Sequence, residues 1–179
     1  MALHDYIKKL CSDYQDPGRL IFKAYRYMNE DDSITHIRID PHAVTNLGKQ
    51  LTPRYSRVFF YPPENQSFIS IDSARQYLLL RNKDNIVCRL TGAMLTEYID
   101  KSINTGENEY ARKYLTDEEL VSLMFYSFTA RPALLKWIVN NQLPYCTYRS
   151  YSNGDAYAYE IRMTNLMNTV IPKLFLISA

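Results

Sequence analysis

Apolar residues recur along this chain at two spacings, and the alternation between them marks out the elements. Leu3, Tyr6, Ile7, Leu10, Cys11 and Tyr14 repeat every three or four positions, which places one apolar stripe on an opening helix over residues 1–15. Asp16-Pro17-Gly18 stops it, and the stripe makes it a docking helix. Leu20 to Met28 then reads as a strand, Asn29 to Ser33 as a polar turn, and Ile34 to Ile39 as a returning strand with Thr35, Ile37 and Ile39 on one face. Asp40 offers a cap to the next helix, Pro41 suits its first turn, and Gly48 followed by Pro53 ends it.

The order strand, strand, helix recurs. Arg57 to Tyr61 and Phe68 to Ile71 are strands around a turn at Pro62 to Gln66, and Asp72 caps a helix to about Arg81. A third unit closes the chain, with Tyr145 to Tyr151 and Ala156 to Met163 joined through Asn153-Gly154. Both residues of that pair tolerate positive φ, so it is a strong hairpin signal. A terminal helix from about Asn165 follows, kinked or split at Pro172. The faint likeness of Tyr25-Arg26 and Ile37-Arg38 to Tyr148-Arg149 and Ile161-Arg162 is architectural.

Between the second and third units lie a short strand, Ile86 to Leu90, and a helix from Gly92 to about Ile103. A helical pair over 116–143 comes next. Thr116 and Glu119 have the spacing of a capping box, in which each side chain satisfies the other residue's free backbone N–H. Pro132 opens the second helix of the pair, which is apolar nearly all round and therefore core. These elements predict one α+β domain over residues 1–179, built of β-hairpin/helix units that form small antiparallel sheets flanked by helices.

Composition narrows the class. With 46% hydrophobic and 22% charged residues, the chain has ordinary globular usage. The net charge of +2 and the lack of a long basic run give a nucleic-acid partner no electrostatic support. No apolar run reaches the length of a membrane span, and the first residues lack the apolar core of a signal peptide. A cytoplasmic protein is expected, or one delivered into a host cell without a cleaved signal. Cys11, Cys88 and Cys146 stand far apart in apolar segments, the setting of buried thiols.

The chain has no GxSxG, P-loop or HExxH motif, and its five glycines form no nucleotide-binding fingerprint, so hydrolase and kinase readings fall away. His4, His36 and His42 have no cysteine or paired carboxylate at metal-ligand spacing. One collinear set remains. It consists of Ile34-Thr35-His36-Ile37, the segment ending Leu47-Gly48, Leu51-Thr52-Pro53, Arg57-Val58-Phe59-Phe60-Tyr61, Ser73-Ala74 with Tyr77, Ile86-Val87-Cys88-Arg89-Leu90, and Glu160-Ile161.

In this order the set resembles the histidine-tyrosine-glutamate branch of the ADP-ribosyltransferase superfamily, over roughly residues 34 to 165. The resemblance implies an enzyme that uses NAD as substrate to modify a macromolecular target. Thr35 and His36 would lie at the nicotinamide ribose, Tyr61 or Tyr77 would stack on the nicotinamide, and Glu160 would engage a ribose hydroxyl. There Glu160 would stabilise the oxocarbenium-like charge that develops as nicotinamide leaves. The sequence departs from that pattern at Ile37, which follows His36 where relatives carry glycine, and at Ala158, two positions before Glu160.

Two other readings stand beside it. Counted outward from Asn153-Gly154, Glu160 falls opposite Thr147 and diagonal to Arg149, which fits a solvated cross-strand charge pattern. The sixteen tyrosines suggest a recognition surface, with Tyr157, Tyr159, Ile161 and Met163 on one face of the final hairpin and Tyr148 across from Tyr159. On this reading the chain is a non-enzymatic interaction protein of bacterial, phage or viral type, which binds and blocks a protein partner.

Overall fold

The computed structural model describes residues 2–14, 22–23, 31–148 and 154–178; the account of side chains leaves out positions 22, 23, 148, 154–158, 177 and 178. The Asp16-Pro17-Gly18 stop, most of the strand Leu20 to Met28 and Asn153 lie outside the described residues.

The fold is α+β. In chain order the helices are α1 (Leu3–Asp13), α2 (Asn46–Leu51), α3 (Ile71–Leu79), α4 (Gly92–Asn104), α5 (Asp117–Thr129), α6 (Pro132–Asn140) and α7 (Gly154–Ser178). The strands are β1 (Phe22–Lys23), β2 (Ile37–Arg38), β3 (Phe59–Tyr61), β4 (Gln66–Phe68) and β5 (Tyr145–Tyr148). The capping box forms as its spacing requires: Thr116 Oγ1 accepts from Glu119 N at 3.2 Å and Glu119 Oε1 from Thr116 N at 2.9 Å. Pro132 opens α6, where its missing N–H is no loss.

The second strand-strand-helix unit matches the expectation. β3 and β4 pair antiparallel, with Phe59 opposite Phe68 and Tyr61 opposite Gln66, around a 3-10 turn at Pro62–Glu64. Asn65 takes the left-handed conformation that closes this turn. The cap of α3 is Ser70, whose Oγ accepts from Ser73 N at 3.0 Å, and not Asp72.

The first and third units differ from expectation. β1 and β2 do not pair as a hairpin; both lie parallel to β5 in a three-stranded sheet of order β1-β5-β2. Asp40 Oδ1 accepts from His42 N in a local turn, and α2 starts later, where Thr45 Oγ1 accepts from Gly48 N. Gly48 therefore stands inside α2 and not at its end. There its hydrogen faces the Arg38 carbonyl, and an ideal Cβ at this position would lie 2.0 Å from that oxygen. The helix can approach β2 this closely only without a side chain.

The segment Ala156 to Met163 is part of helix α7 and not a strand. Tyr159, Met163, Leu166, Met167, Val170, Ile171, Leu174 and Phe175 are its buried apolar positions among the described residues, and their steps of four, three and one are helical. The alternation of Tyr157 and Tyr159 with alanines imitates a strand over too short a window to set the period. Pro172 lies inside α7, which continues to Ser178. Ile86 to Leu90 is likewise not a strand. Asp84 Oδ1 accepts from Ile86 N at 2.9 Å and its carbonyl from Val87 N at 3.1 Å, which winds the segment into a 3-10 turn at Val87–Arg89.

One hydrophobic cluster extends from Ile7 in α1 to Phe175 in α7. At its centre α5 packs against α1, α3, α6, α7 and β3. Polar contacts fix α7 on either side. Asn168 brackets the Tyr145 backbone, accepting from its N–H at 2.7 Å and donating to its carbonyl at 3.0 Å. Arg162 donates to Leu115 O at 2.8 Å and Asp117 Oδ1 at 2.7 Å. No helix among the described residues is long and apolar enough to cross a membrane.

Candidate functional site

The residues singled out in the sequence are distributed over different environments. His36 is buried just before β2, its Nδ1 3.0 Å from Thr35 Oγ1, while Thr35 itself is exposed. Beside it, the Asp32 carboxylate accepts from Arg38 N at 2.9 Å and Val44 N at 2.8 Å, so this end of the chain is held as a tight loop.

Tyr61 and Tyr77 are core residues. Tyr61 meets Tyr126 edge-on at a ring separation of 5.7 Å, and Tyr77 meets Phe68 at 5.2 Å. Burial raises both phenols above their ordinary pKa. Neither ring is placed as a stacking platform for a nicotinamide, because each is taken up in the aromatic packing behind the β3–β4 hairpin.

Glu160 is not on a strand, as the sequence reading had it, but on the first half of α7, partly buried. Burial is the main cause that raises its pKa, opposed by Arg54 and reinforced by Asp72 and Asp40. The cross-strand pattern with Thr147 and Arg149 therefore does not describe its surroundings. Asp72 is raised in the same direction, again by burial first, with Arg75 and Arg54 opposing. Arg75 lies 3.8 Å from Asp72 and 4.0 Å above the centre of the Tyr159 ring. The Tyr159 hydroxyl is buried without a hydrogen-bond partner among the described residues.

Two carboxyls, two guanidinium groups and a buried phenol thus gather where α3, α7 and the Arg54 loop meet. A hollow of about 370 Å³ is lined by Arg54 and Asp72 together with Gly92, Ala93, Thr96 and Glu97. Carboxyls whose surroundings favour the neutral form are suited to proton transfer. Arg54, Asp72 and Arg75 were not legible as a group. Asp72 and Arg75 have helical spacing, but Arg54 joins them only through the fold.

The β3–β4 hairpin also carries an outward face. Phe59 and Tyr61 point into the core, whereas Phe60 between them is 51% exposed and Val58, one step before the strand, is 68% exposed. Ser67, opposite Phe60, is exposed as well. The signal for this surface was present in the run Val58-Phe59-Phe60-Tyr61. A strand with one wet face should alternate with polar residues, and this one is apolar at every position.

Among the described residues, the segment expected to carry a tyrosine-rich hairpin face is part of helix α7. Tyr159 and Met163 are buried in α7, and the side chains of Tyr148 and Tyr157 lie outside the described residues. The Cys11 and Cys88 thiols are raised to about 11, chiefly by burial. Comparison with protein-family models, with curated proteins and with solved structures finds no match for this chain.

Proposed function

We propose that this chain is an interaction protein that acts by occupying a protein partner, with the outward face of the β3–β4 hairpin as its contact surface. The observation that carries this reading is the exposure of Phe60 on a strand whose alternate residues, Phe59 and Tyr61, are buried, together with that of Val58 just before the strand. Large apolar side chains kept in water on a fixed strand cost free energy that a partner's surface recovers on contact. The hairpin beneath them is tied to the body of the fold. Arg57 donates through Nε to Ser127 O at 2.9 Å and through Nη2 to Ser127 Oγ at 3.0 Å, which fastens its entry to α5. A preorganised platform loses little entropy on binding.

The reading is tested with the double variant Val58→Glu/Phe60→Glu. Both side chains are exposed, so the thermal unfolding midpoint should change by less than about 3 °C. Recovery of a stoichiometric partner from cells of the native host should fall at least tenfold. Recovery of the same partner in the same amount by the double variant would overturn the assignment of this face.

A transferase reading has one observation in its favour, the gathering of Glu160 and Arg75 with Arg54 and Asp72, the last two of which line a hollow. In it, Glu160 would stabilise positive charge developing on the ribose of NAD, as the sequence resemblance implies. This reading rests on the carboxylate and the arginines beside it.

A further inference from the structure

Two guanidinium groups meet at the end of α2. Arg57, at the entry to β3, donates through Nη1 to Gln50 O at 3.2 Å, in addition to its two bonds to Ser127. Arg131, the residue before α6, donates through Nη1 to the side-chain Oε1 of the same Gln50 at 2.8 Å. Gln50 is 6% exposed. One buried residue therefore holds both cations, the first on its backbone oxygen and the second on its amide oxygen.

Their charge is not balanced by acids. Arg38, Arg75, Arg81, Arg112 and Arg162 each face a carboxylate at 3.8 Å or less, whereas Arg57 and Arg131 form no ion pair among the described residues. Ser127 O and Gln50 O belong to the last turns of α5 and α2, so Arg57 offsets partial negative charge at two helix ends. Arg131 has a neutral amide oxygen and the Trp137 ring, whose centre is 5.2 Å away. An amide orients a guanidinium but leaves its charge intact. Burial, with Tyr55 opposing and Arg131 adding to it, lowers Arg57 to about 10. These bonds take up three of the five N–H groups of Arg57 and one of the five of Arg131, so donors remain on both. Both residues are half-buried and keep part of their surface in water.

We infer that Arg57 and Arg131 together bind a phosphate group, carried free or on a small monoester. Two guanidinium groups anchored on one residue bring N–H donors and surplus positive charge to one place. A tetrahedral dianion meets both groups at once, with separate oxygens for each fork. A planar carboxylate has oxygens for one fork and charge for one cation, which is why phosphate is the ligand assigned. Bound phosphate also relieves the repulsion between two like charges held by the same residue. The site does not rest on the hairpin face, and it can fail or stand without it.

Trp137 is the single tryptophan of the chain and lies against Arg131, so its fluorescence reports on this site. The full chain is titrated with inorganic phosphate and, separately, with glycerol phosphate, at an ionic strength held constant with sodium chloride so that general screening does not change. Emission should change to saturation with at least one of the two, and calorimetry should return the same dissociation constant. Comparison of the two arms identifies the source, free ion or ester. Arg131→Gln changes a partly exposed side chain and should weaken binding by about tenfold or more. Arg131→Lys, which keeps the charge and loses the fork, should weaken it less. Val58→Glu/Phe60→Glu should bind phosphate as the parent does, which separates this site from the hairpin face. No saturable binding of either phosphate by both methods, or unchanged affinity in folded Arg131→Gln, would overturn the inference. Glutamate binding as tightly as phosphate would overturn the assignment of the ligand.

Discussion

Replacing Gly48 with alanine should destabilise the protein by about 3 kcal/mol, read from urea unfolding. The sign is informative. In a helix interior, alanine ordinarily stabilises relative to glycine by about 0.4–1 kcal/mol, because it restricts the unfolded chain and has the higher helix propensity. Here the added methyl would stand 2.0 Å from the Arg38 carbonyl oxygen and 2.9 Å from Ala43 Cβ. The oxygen belongs to the backbone of β2, which is paired to β5, so it cannot swing away as a side-chain end would. Either α2 lifts from the sheet or β2 shifts, and both disturb the loop that Asp32 fastens through Arg38 N and Val44 N. A Gly48→Ala variant as stable as the parent, or more so, would show that α2 does not lie against β2 in this way.

Phe68→Ala should cost about 4 kcal/mol in the same assay, while Phe60→Ala should change stability by no more than about 0.5 kcal/mol. The contrast lies within one hairpin. Phe68 is 1% exposed, and its ring sits 5.2 Å from Tyr77, 5.9 Å from Phe59 and 6.3 Å from Tyr61. Truncation there leaves a void between rings that α3 and α5 hold in place, so the site cannot collapse to fill it. Phe60, on the adjacent strand, loses only surface that already faces water. With a whole domain stable by about 5–15 kcal/mol, the first variant stands near the limit of folding. Equal costs for the two would mean that the faces of β3 are assigned the wrong way round.

Much of the helical framework was legible in the residues. The stripe Leu3 to Tyr14, the Thr116–Glu119 box and Pro132 each carry a local cause, and α1, α5 and α6 form where those causes place them. The β3–β4 hairpin was legible for the same reason, because Pro62-Pro63 and Asn65 determine its turn. The parallel sheet was not. β5 takes both neighbours from the first part of the chain, and pairing over such a separation leaves no trace in either short strand.

The misreading of α7 has a different origin. Asn153-Gly154 and four residues of alternating tyrosine and alanine spoke for a strand, yet the helical spacing from Tyr159 to Phe175 extends over a longer window and prevails. The same error put Glu160 on a sheet. What the sequence did single out was the residue itself, which stands in a charge cluster with Arg54, Asp72 and Arg75, three residues that the sequence reading had not joined to it. Tyr61 and Tyr77 looked like ligand platforms because aromatic residues in strands and helices serve cores and sites alike, and only the packing separates the two uses.

We propose that the chain works by occupancy and not by turnover, and nicotinamide release from NAD tests this most directly. The purified chain, incubated with NAD and followed by chromatography of the products, should release no more nicotinamide than buffer alone, and Glu160→Ala should behave identically. Release above background by the wild type that disappears in Glu160→Ala would contradict the claim and make the charge cluster at Glu160 an active site.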